Sequence, residues 1–229
     1  GQLDAKVRAS AIASILAVGG PEELQSFGLD PRRYTSAGRY DAQSHADALQ
    51  QLIKISEFRE ERPAGNLAAQ LHALIQQGDA ALYTHALTLA GIWSVEELQE
   101  AVVAAVENTT LEVAVRSKAF VALAQLDSAK GSEYLHKYTS ETQSSAVRAA
   151  AIEALAMVDS QGAAVRAAKF LSGADVARHD PTGILRAILE RKGGAVALAG
   201  ALQSESLDAE RATVLLRALF SSGRSDPSL

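Results

Sequence analysis

Residues 114–128 read AVRSKAFVALAQLDS, and residues 146–160, which lie 32 positions later, read AVRAAAIEALAMVDS. The two stretches are identical at nine of fifteen positions. Matching residues continue beyond them at the same spacing: Lys137 with Lys169, Tyr138 with Phe170, and Ser140 with Ser172. Self-similarity at a period in the thirties is typical of helical-repeat proteins, in which each unit stacks on the next. The sequence therefore predicts an all-α fold, an α-α superhelix of about six antiparallel helix pairs.

The first helix of each repeat carries one apolar stripe. Its apolar residues recur at i, i+4, i+7, i+8 and i+11, which places them on one face of an α-helix. The stripe residues are Val115, Ala119, Ala122, Leu123 and Leu126 in one repeat, and Val147, Ala151, Ala154, Leu155 and Val158 in the other. An isolated helical hairpin cannot bury such a stripe completely, so we expect neighbouring repeats to complete the core.

Composition supports a helical fold and excludes several kinds of site. Aromatic residues make up only 5% of the chain, whereas Ala, the best helix former, supplies 45 of the 229 residues. The net charge of −5 argues against a nucleic-acid partner, because such proteins usually carry a basic face. The chain contains no Cys, which excludes disulfides, Cys-ligated zinc, a catalytic thiol and c-type haem attachment within these residues.

The sequence contains no targeting or membrane-spanning pattern. No apolar run approaches the roughly 20 residues that a membrane span needs, and no signal peptide opens the chain. The chain begins at Gly1 and ends in SDPSL, and we expect it to be part of a longer protein. Its oligomeric state does not follow from the residues.

We interpret residues 1–229 as one helical-repeat domain, and its clearest repeats are 111–143 and 144–175. The stretch 28–40 (GLDPRRYTSAGRY) breaks the helical pattern and predicts an ordered loop or one-turn helix. It is either an insertion that packs against the first helices or a binding loop.

A long helix is predicted over residues 41–62. Its apolar stripe includes Ala48, Leu52, Ile55 and, at the end, Phe58. Pro63 is expected to end this helix, because Pro disfavours helical geometry in the residue before it.

Known catalytic and metal-binding motifs are missing. The five histidines include no i, i+4 pair with an intervening acid, and neither Gly-Gly pair has the spacing or the Lys of a phosphate-binding loop. No nucleophile elbow occurs either. We therefore predict no catalytic, cofactor-binding or metal-ligating residue, and no enzymatic activity for these residues.

Arg8, Arg116 and Arg148 each follow a Val at the start of a first helix. They could line a binding edge, but we favour a structural ladder in which each Arg bonds acids or carbonyl groups of a neighbouring repeat. Trp93 is the only Trp. It could anchor an interface, but we favour packing between helices.

The second helices, predicted over residues 94–107, 129–139 and 161–171, would line the concave face of a helical stack. Their outward-facing polar residues form one candidate interaction surface, and residues of the 28–40 loop form another. The candidates are Glu96, Glu97, Glu100, Glu133, His136, Lys137, Arg166 and Lys169 on the helices, and Arg32, Arg33 and Tyr34 in the loop. The surface carries both signs of charge, so simple solvation remains the alternative.

The repeat AVRAAAIEALA, with Val-Arg opening an Ala/Leu helix and Asp in the following turn, resembles the HEAT repeat. Further passages occur in an order that resembles the helical linker of large secreted proteins of planctomycetes and related bacteria. These passages are YDAQSHADALQQL, RPAGNLAAQL, ALTLAGIW, ILRAILERKGGAVALAGAL and LLRALFSSGRSDPSL. In that family a sugar-dehydrogenase-like β-propeller precedes the helices, and a haem-binding cytochrome c domain follows them.

The resemblance implies a non-catalytic scaffold and protein-interaction segment in an exported or periplasmic redox protein. The family's catalytic and haem-binding residues lie in the flanking domains, so none maps onto this chain. The expected partners are therefore proteins, and neither a membrane span nor a nucleic acid is expected. The alternative is a HEAT-like enzyme that binds nucleic acid or modifies a prosthetic group. That function would need a basic groove with a Trp/Tyr/Asp cluster.

Overall fold

The computed structural model describes residues 5–126, 129–173 and 180–221. These residues are mostly helical, which confirms the all-α prediction. Residues 127–128, the Asp-Ser pair of the first repeat, and residues 174–175, the last two of the second repeat, lie outside the described part. The chain divides into two compact units, Gly1–Val102 (unit 1) and Val103–Leu229 (unit 2).

Unit 1 is built around α3 and α5, which pack against each other. α3 also contacts α1, and α5 contacts α4. The α-helices described in unit 1 are α1 (Ala5–Val18), α2 (Pro21–Leu24), α3 (Ala42–Ser56), α4 (Leu67–Ile75) and α5 (Ala80–Ile92), and α6 (Gln99–Glu107) crosses the boundary between the units. Side chains of Asp41, Asn66 and Asp79 accept hydrogen bonds from backbone N–H groups at the starts of α3, α4 and α5. These caps explain why the helices begin where they do.

The prediction for the end of α3 is wrong. The helix ends at Ser56 instead of continuing to residue 62, and Phe58 is 88% exposed instead of belonging to the buried stripe. In the segment that follows α3, the guanidinium of Arg59 donates to the carbonyl groups of Leu16, Ala17 and Gly19 at the end of α1. Carbonyl groups at a helix C-terminus have no partner within the helix. Arg59 supplies those partners from about 40 residues away.

The stretch 28–40 forms short irregular elements, as expected from its Gly and Pro content. A π-helical turn (Gln25–Leu29) leads into a 3-10 turn (Pro31–Tyr34) and a small antiparallel hairpin of β1 (Thr35–Ser36) and β2 (Arg39–Tyr40). Gly28 allows the π-helical turn to approach α3 closely, because a Cβ there would lie 2.7 Å from Cδ2 of Leu52. In the structure the stretch packs against α3.

Unit 2 repeats one arrangement of helices. The first helices contact each other consecutively: α7 packs against α9, α9 against α11, and α11 against α13. Among the second helices, α10 packs against α12. The bounds are α7 (Val113–Gln125), α8 (Ala129–Tyr138), α9 (Ser145–Val158), α10 (Ser160–Ser172), α11 (Thr182–Leu189), α12 (Gly194–Leu202) and α13 (Ala209–Ser221).

The buried residues of α7 and α9 confirm the predicted stripe. All ten stripe residues are buried except Val115 and Val158, which are half-buried. α9 contacts α7, α8, α10 and α11, and its Ala residues at 149, 150, 151, 154 and 156 are all buried. Small side chains let helix backbones approach closely, so α9 can be covered from several sides.

The turn between α9 and α10 depends on a close approach of side chain to backbone. Asp159 accepts a hydrogen bond from the backbone N–H of Gly162 at 2.8 Å, which caps α10. A Cβ at position 162 would lie 2.0 Å from Oδ2 of Asp159, so a larger residue would displace the cap. The Asp of the repeated Asp-Ser pair therefore has a structural role in this repeat. Its counterpart, Asp127, lies outside the described residues.

We expect Leu155→Ala to lower the free energy of unfolding by about 2–5 kcal/mol, because it leaves a cavity in a fully buried part of α9. Val165→Ala in α10 is the matched control. Val165 is 59% exposed, so its truncation should change stability by no more than about 0.5 kcal/mol. Urea unfolding followed by circular dichroism measures both values. Equal effects of the two substitutions would contradict the proposed core.

Candidate functional site

A polar groove lies across the second-helix side of unit 2, and we call it the α8–α10 groove. Its volume is about 590 Å³, which falls within the range of small-ligand pockets. Its lining includes His136, Thr139, Glu141, Arg148, Arg166 and Lys169. The groove thus brings together three residues that the sequence placed on the interaction surface: His136, Arg166 and Lys169. It also contains one residue of the predicted ladder, Arg148.

Arg166 is held in the groove by Thr139. Its Nε donates to Oγ1 of Thr139 at 2.7 Å, and that hydroxyl donates to the carbonyl group of His136 at 2.7 Å. Thr139 is only 8% exposed, so the relay is fixed in a nearly buried position. Because the Nε bond fixes the plane of the guanidinium, the two terminal nitrogens are oriented together. Such a fork matches the two oxygens of a carboxylate.

Lys137 and Lys169 occupy equivalent repeat positions in unit 2, and each forms an ion pair with an acidic residue that precedes its own repeat. Nζ of Lys137 lies 3.8 Å from a carboxylate oxygen of Glu107, and Nζ of Lys169 lies 2.8 Å from one of Glu141. The hydrogen bond from Lys169 is the main cause that lowers the pKa of Glu141. These four side chains are all more than 40% exposed. Exposed ion pairs of this kind contribute little to stability.

His136 contributes a second contact between repeats. Its Nε2 lies 3.4 Å from Oδ2 of Asp159, the residue that caps α10. Its Nδ1 is buried and has no hydrogen-bond partner among the described protein residues. A buried nitrogen without a partner costs free energy unless water or another molecule supplies the bond. His136, which lines the groove, therefore keeps a buried ring nitrogen without a hydrogen-bond partner among the described residues.

Arg116 and Arg148 occupy equivalent buried positions, and each is 6% exposed. The guanidinium of Arg116 lies 5.7 Å from the centre of the Tyr138 ring, and that of Arg148 lies 5.2 Å from the centre of the Phe170 ring. Each Arg therefore lies over the aromatic residue of its own second helix, at a distance at which cation–π attraction operates.

Contacts with carbonyl groups, as predicted for the ladder, occur at Arg116. Its Nε donates to the carbonyl group of Val106 in α6 at 3.0 Å. Arg8 differs from the other two, because it is exposed on α1 and does not share their buried environment. Of the three Arg residues predicted to form the ladder, only Arg116 and Arg148 therefore share a buried environment.

The other predicted surface residues do not line the α8–α10 groove. Glu133 is exposed on α8. In unit 1, Glu96 and Glu97 are exposed in a 3-10 turn (Glu96–Leu98), and Glu100 is exposed in the first turn of α6. The predicted surface is therefore distributed over both units, and only part of it forms a concave feature in unit 2.

The loop candidates are partly engaged within unit 1. Arg32 is exposed and forms a two-pronged contact with Asp30, whose pKa is lowered chiefly by that side-chain hydrogen bond. Arg33 is also exposed and lies over the Phe27 ring, 4.5 Å from its centre. Tyr34 is only 4% exposed, which is a correction to its place on the predicted surface. It is buried because its ring stacks on His45, with ring centres 4.2 Å apart.

His45 is the buried centre of this part of unit 1. A carbonyl group can only accept, so Nε2 carries the proton and donates to Gly28 at 2.9 Å. Nδ1 then accepts from the hydroxyl of Tyr40 at 2.6 Å. Burial lowers the pKa of His45 to about 4, although the bond to Gly28 opposes that shift. Burial also raises the pKa of Tyr40 to about 12, so the phenol remains a donor.

Trp93 is 2% exposed, and its Nε1 donates to the hydroxyl of Ser56 at 3.2 Å. This confirms the packing interpretation.

Sequence reasoning missed Thr139 as part of a site, because a lone Thr at a helix end carries no recognisable signal. It also missed Arg148 as a groove residue, because the repeat pattern indicated only its structural position.

Within the described residues, no group of three or more His, Asp or Glu side chains is placed to hold a metal ion. The helices of that same part include none that is both long and apolar enough to cross a bilayer. A comparison with protein-family models and with curated proteins finds no match for this chain.

We expect the stability of unit 1 to fall as the pH is lowered from 6.5 to about 4. The unfolded chain takes up a proton at His45 in this range, whereas the folded chain does not. The contribution of neutral His45 to the free energy of unfolding is therefore fully present above the unfolded pKa of about 6.5. Roughly 3 kcal/mol of it is lost by the time the pH reaches the folded pKa of about 4. Trp93 lies in unit 1, so its fluorescence during urea unfolding measures this effect.

His45→Gln should flatten this pH dependence, because the amide keeps hydrogen-bonding capacity without titrating in the range. His72→Gln is the control, since His72 is exposed on α4 in the same unit. The buried-imidazole explanation is wrong if both variants keep the wild-type slope of stability against pH.

Proposed function

We propose that the chain is a HEAT-like helical-repeat segment that acts as a non-catalytic scaffold and protein-interaction surface. The observation that carries this proposal is the repetition of environments at a spacing of 32 residues. Arg116 over Tyr138 and Arg148 over Phe170 are equivalent pairs in successive repeats. Since sequence repetition corresponds to repeated contacts, these positions are explained by stacking and need no catalytic role.

We propose that the helices of the chain are arranged as an α-α superhelix of about six antiparallel pairs. The consecutive contacts of α7, α9, α11 and α13 support it, because each repeat of a solenoid packs mainly on its neighbours. The placement of polar side chains such as Lys137, Lys169 and Arg166 on second helices supports an exposed second-helix surface.

In the parent protein, we propose that this segment separates a dehydrogenase-like propeller from a cytochrome c domain and fixes their distance. This part of the proposal rests on the family resemblance, as does an exported or periplasmic location. A stack of packed helices is a suitable spacer because it bends less than a flexible linker, so the distance between its two ends varies little. Electron transfer depends steeply on distance, so a fixed spacer would keep the haem in reach of the dehydrogenase site.

The alternative, a nucleic-acid-binding or prosthetic-group-modifying enzyme, has less support. It would need an accessible Trp/Tyr/Asp cluster in a basic groove, whereas Trp93 is buried. The α8–α10 groove contains the acids Glu141 and Glu205 among its cations. It is therefore not the continuous basic groove that this function would need.

Small-angle X-ray scattering tests the superhelix. A compact protein of this length has a radius of gyration of about 17 Å. We expect a clearly larger value, because a stack of helix pairs is elongated. A measured radius close to the compact value would contradict the superhelical arrangement.

Kinetics of the parent protein test the spacer role. We expect replacement of residues 5–221 by a flexible Gly/Ser linker to slow haem reduction after the dehydrogenase domain meets its sugar substrate. Haem absorbance in a stopped-flow experiment measures this rate. The control is substrate oxidation with a soluble electron acceptor, which should be unchanged because it bypasses the haem. Unchanged haem reduction in the linker variant would exclude a positioning role.

A further inference from the structure

We propose that the α8–α10 groove binds an acidic segment of a partner protein, and that Arg166 and Lys169 recognise its carboxylates. This inference rests on the proposed interaction role of the chain and adds to it a surface and a partner chemistry. All the residues that carry it lie in unit 2, between α8 and the turn after α12.

Arg166 is prepared for a carboxylate before any partner arrives. Thr139 accepts from Nε and is itself fixed by its bond to the carbonyl group of His136. The terminal nitrogens of Arg166 have no hydrogen bond to the described protein residues, so they are available to an incoming ligand. A side chain that is already oriented loses less conformational freedom on binding, which favours affinity.

Lys169 can join Arg166 at low cost. The two residues are three positions apart on α10 and therefore lie on the same face of that helix. Lys169 and Glu141 are each 64% exposed, so the ion pair between them is only weakly stabilising. An incoming carboxylate can share or replace Glu141 as the partner of the ammonium group.

Charge and surface chemistry favour a protein segment over a nucleic acid. At its surface the groove has two cations, Arg166 and Lys169, and two carboxylates, Glu141 and Glu205, whereas Arg148 is buried over Phe170. Because these accessible charges balance, the groove offers no continuous positive path for a phosphate backbone. Arg166 and Lys169 can nevertheless each contact a separate carboxylate of a peptide.

An apolar contact lies beside the cations. Val165 lines the same groove and is 59% exposed, directly before Arg166 in α10. A peptide in which acids alternate with apolar residues could contact Val165 while its carboxylates bind the cations. A partner segment of mixed acidic and apolar composition therefore fits the groove best.

Fluorescence anisotropy with the 229-residue chain tests the proposal. The probe is a fluorescein-labelled peptide that alternates Glu with Leu, and a peptide that alternates Gln with Leu is the uncharged reference. We expect the acidic peptide to bind, its affinity to fall with added salt, and the reference to bind much more weakly.

Substitutions then locate the binding site. Arg166→Gln and Lys169→Gln should each weaken binding of the acidic peptide by about tenfold or more, because each removes a charge-assisted hydrogen-bond donor. Lys118→Gln removes the same charge from an exposed position on α7, outside the groove, and should have little effect. Thr139→Val keeps the charge but removes the oxygen that orients Arg166, so it should also weaken binding. Thermal melts by circular dichroism verify that each variant is folded.

Three results would overturn the proposal. Equal losses for Arg166→Gln and Lys118→Gln would indicate general charge attraction instead of a groove. Tighter, Arg166-dependent binding of a single-stranded oligothymidylate would assign the groove to nucleic acid. Equally strong binding of free glutamate would assign it to a small carboxylate.

The peptide-binding experiment and the linker-replacement experiment can be interpreted independently of each other. Peptide binding that depends on Arg166 would stand even if the linker replacement left haem reduction unchanged. Conversely, slower haem reduction without peptide binding would keep the spacer role and reject the groove as the interaction surface.

Discussion

The close packing of α9 against its neighbours is the contact on which unit 2 depends. Its Ala residues remove side-chain bulk on several faces, so α7, α8, α10 and α11 can all lie against one helix. Leu155 and Ile152 fill the remaining space and are fully buried. An Ala-rich core has little apolar volume per residue, so its stability depends on short distances between helices more than on large side chains.

This packing also fixes where polar chemistry can occur. Once the stripe of α9 is buried, Arg148 is held beneath the surface over Phe170, and α10 must present Arg166 and Lys169 outward. The exposed residues of the α8–α10 groove, such as Lys169, can therefore vary without disturbing the core, whereas its residues Arg148 and Thr139 are themselves buried.

The helical core of unit 2 could be predicted from periodicity because its contacts involve neighbouring repeats with the same pattern. Eight of the ten stripe residues are buried, as a 3.6-residue period requires. The sequence predictions were wrong or incomplete where the local structure depends on a residue from another part of the chain. α3 ends early at Ser56, next to the segment from which Arg59 reaches α1. Tyr34 is buried by His45, and Thr139 becomes part of a groove only through Arg166. Periodicity contains no information about such pairs.

The contact of Arg59 with α1 also has a consequence for the order of events during synthesis. The carbonyl groups of Leu16, Ala17 and Gly19 obtain their partner only after residue 59 has been added and has left the ribosome. Until then the end of α1 must rely on water. In unit 2, α7 and α9 pack against each other at the 32-residue spacing of the repeats, so this contact also waits for the following repeat to be made. Within unit 1, the end of α1 therefore acquires the hydrogen bonds from Arg59 only after about 40 further residues have been made.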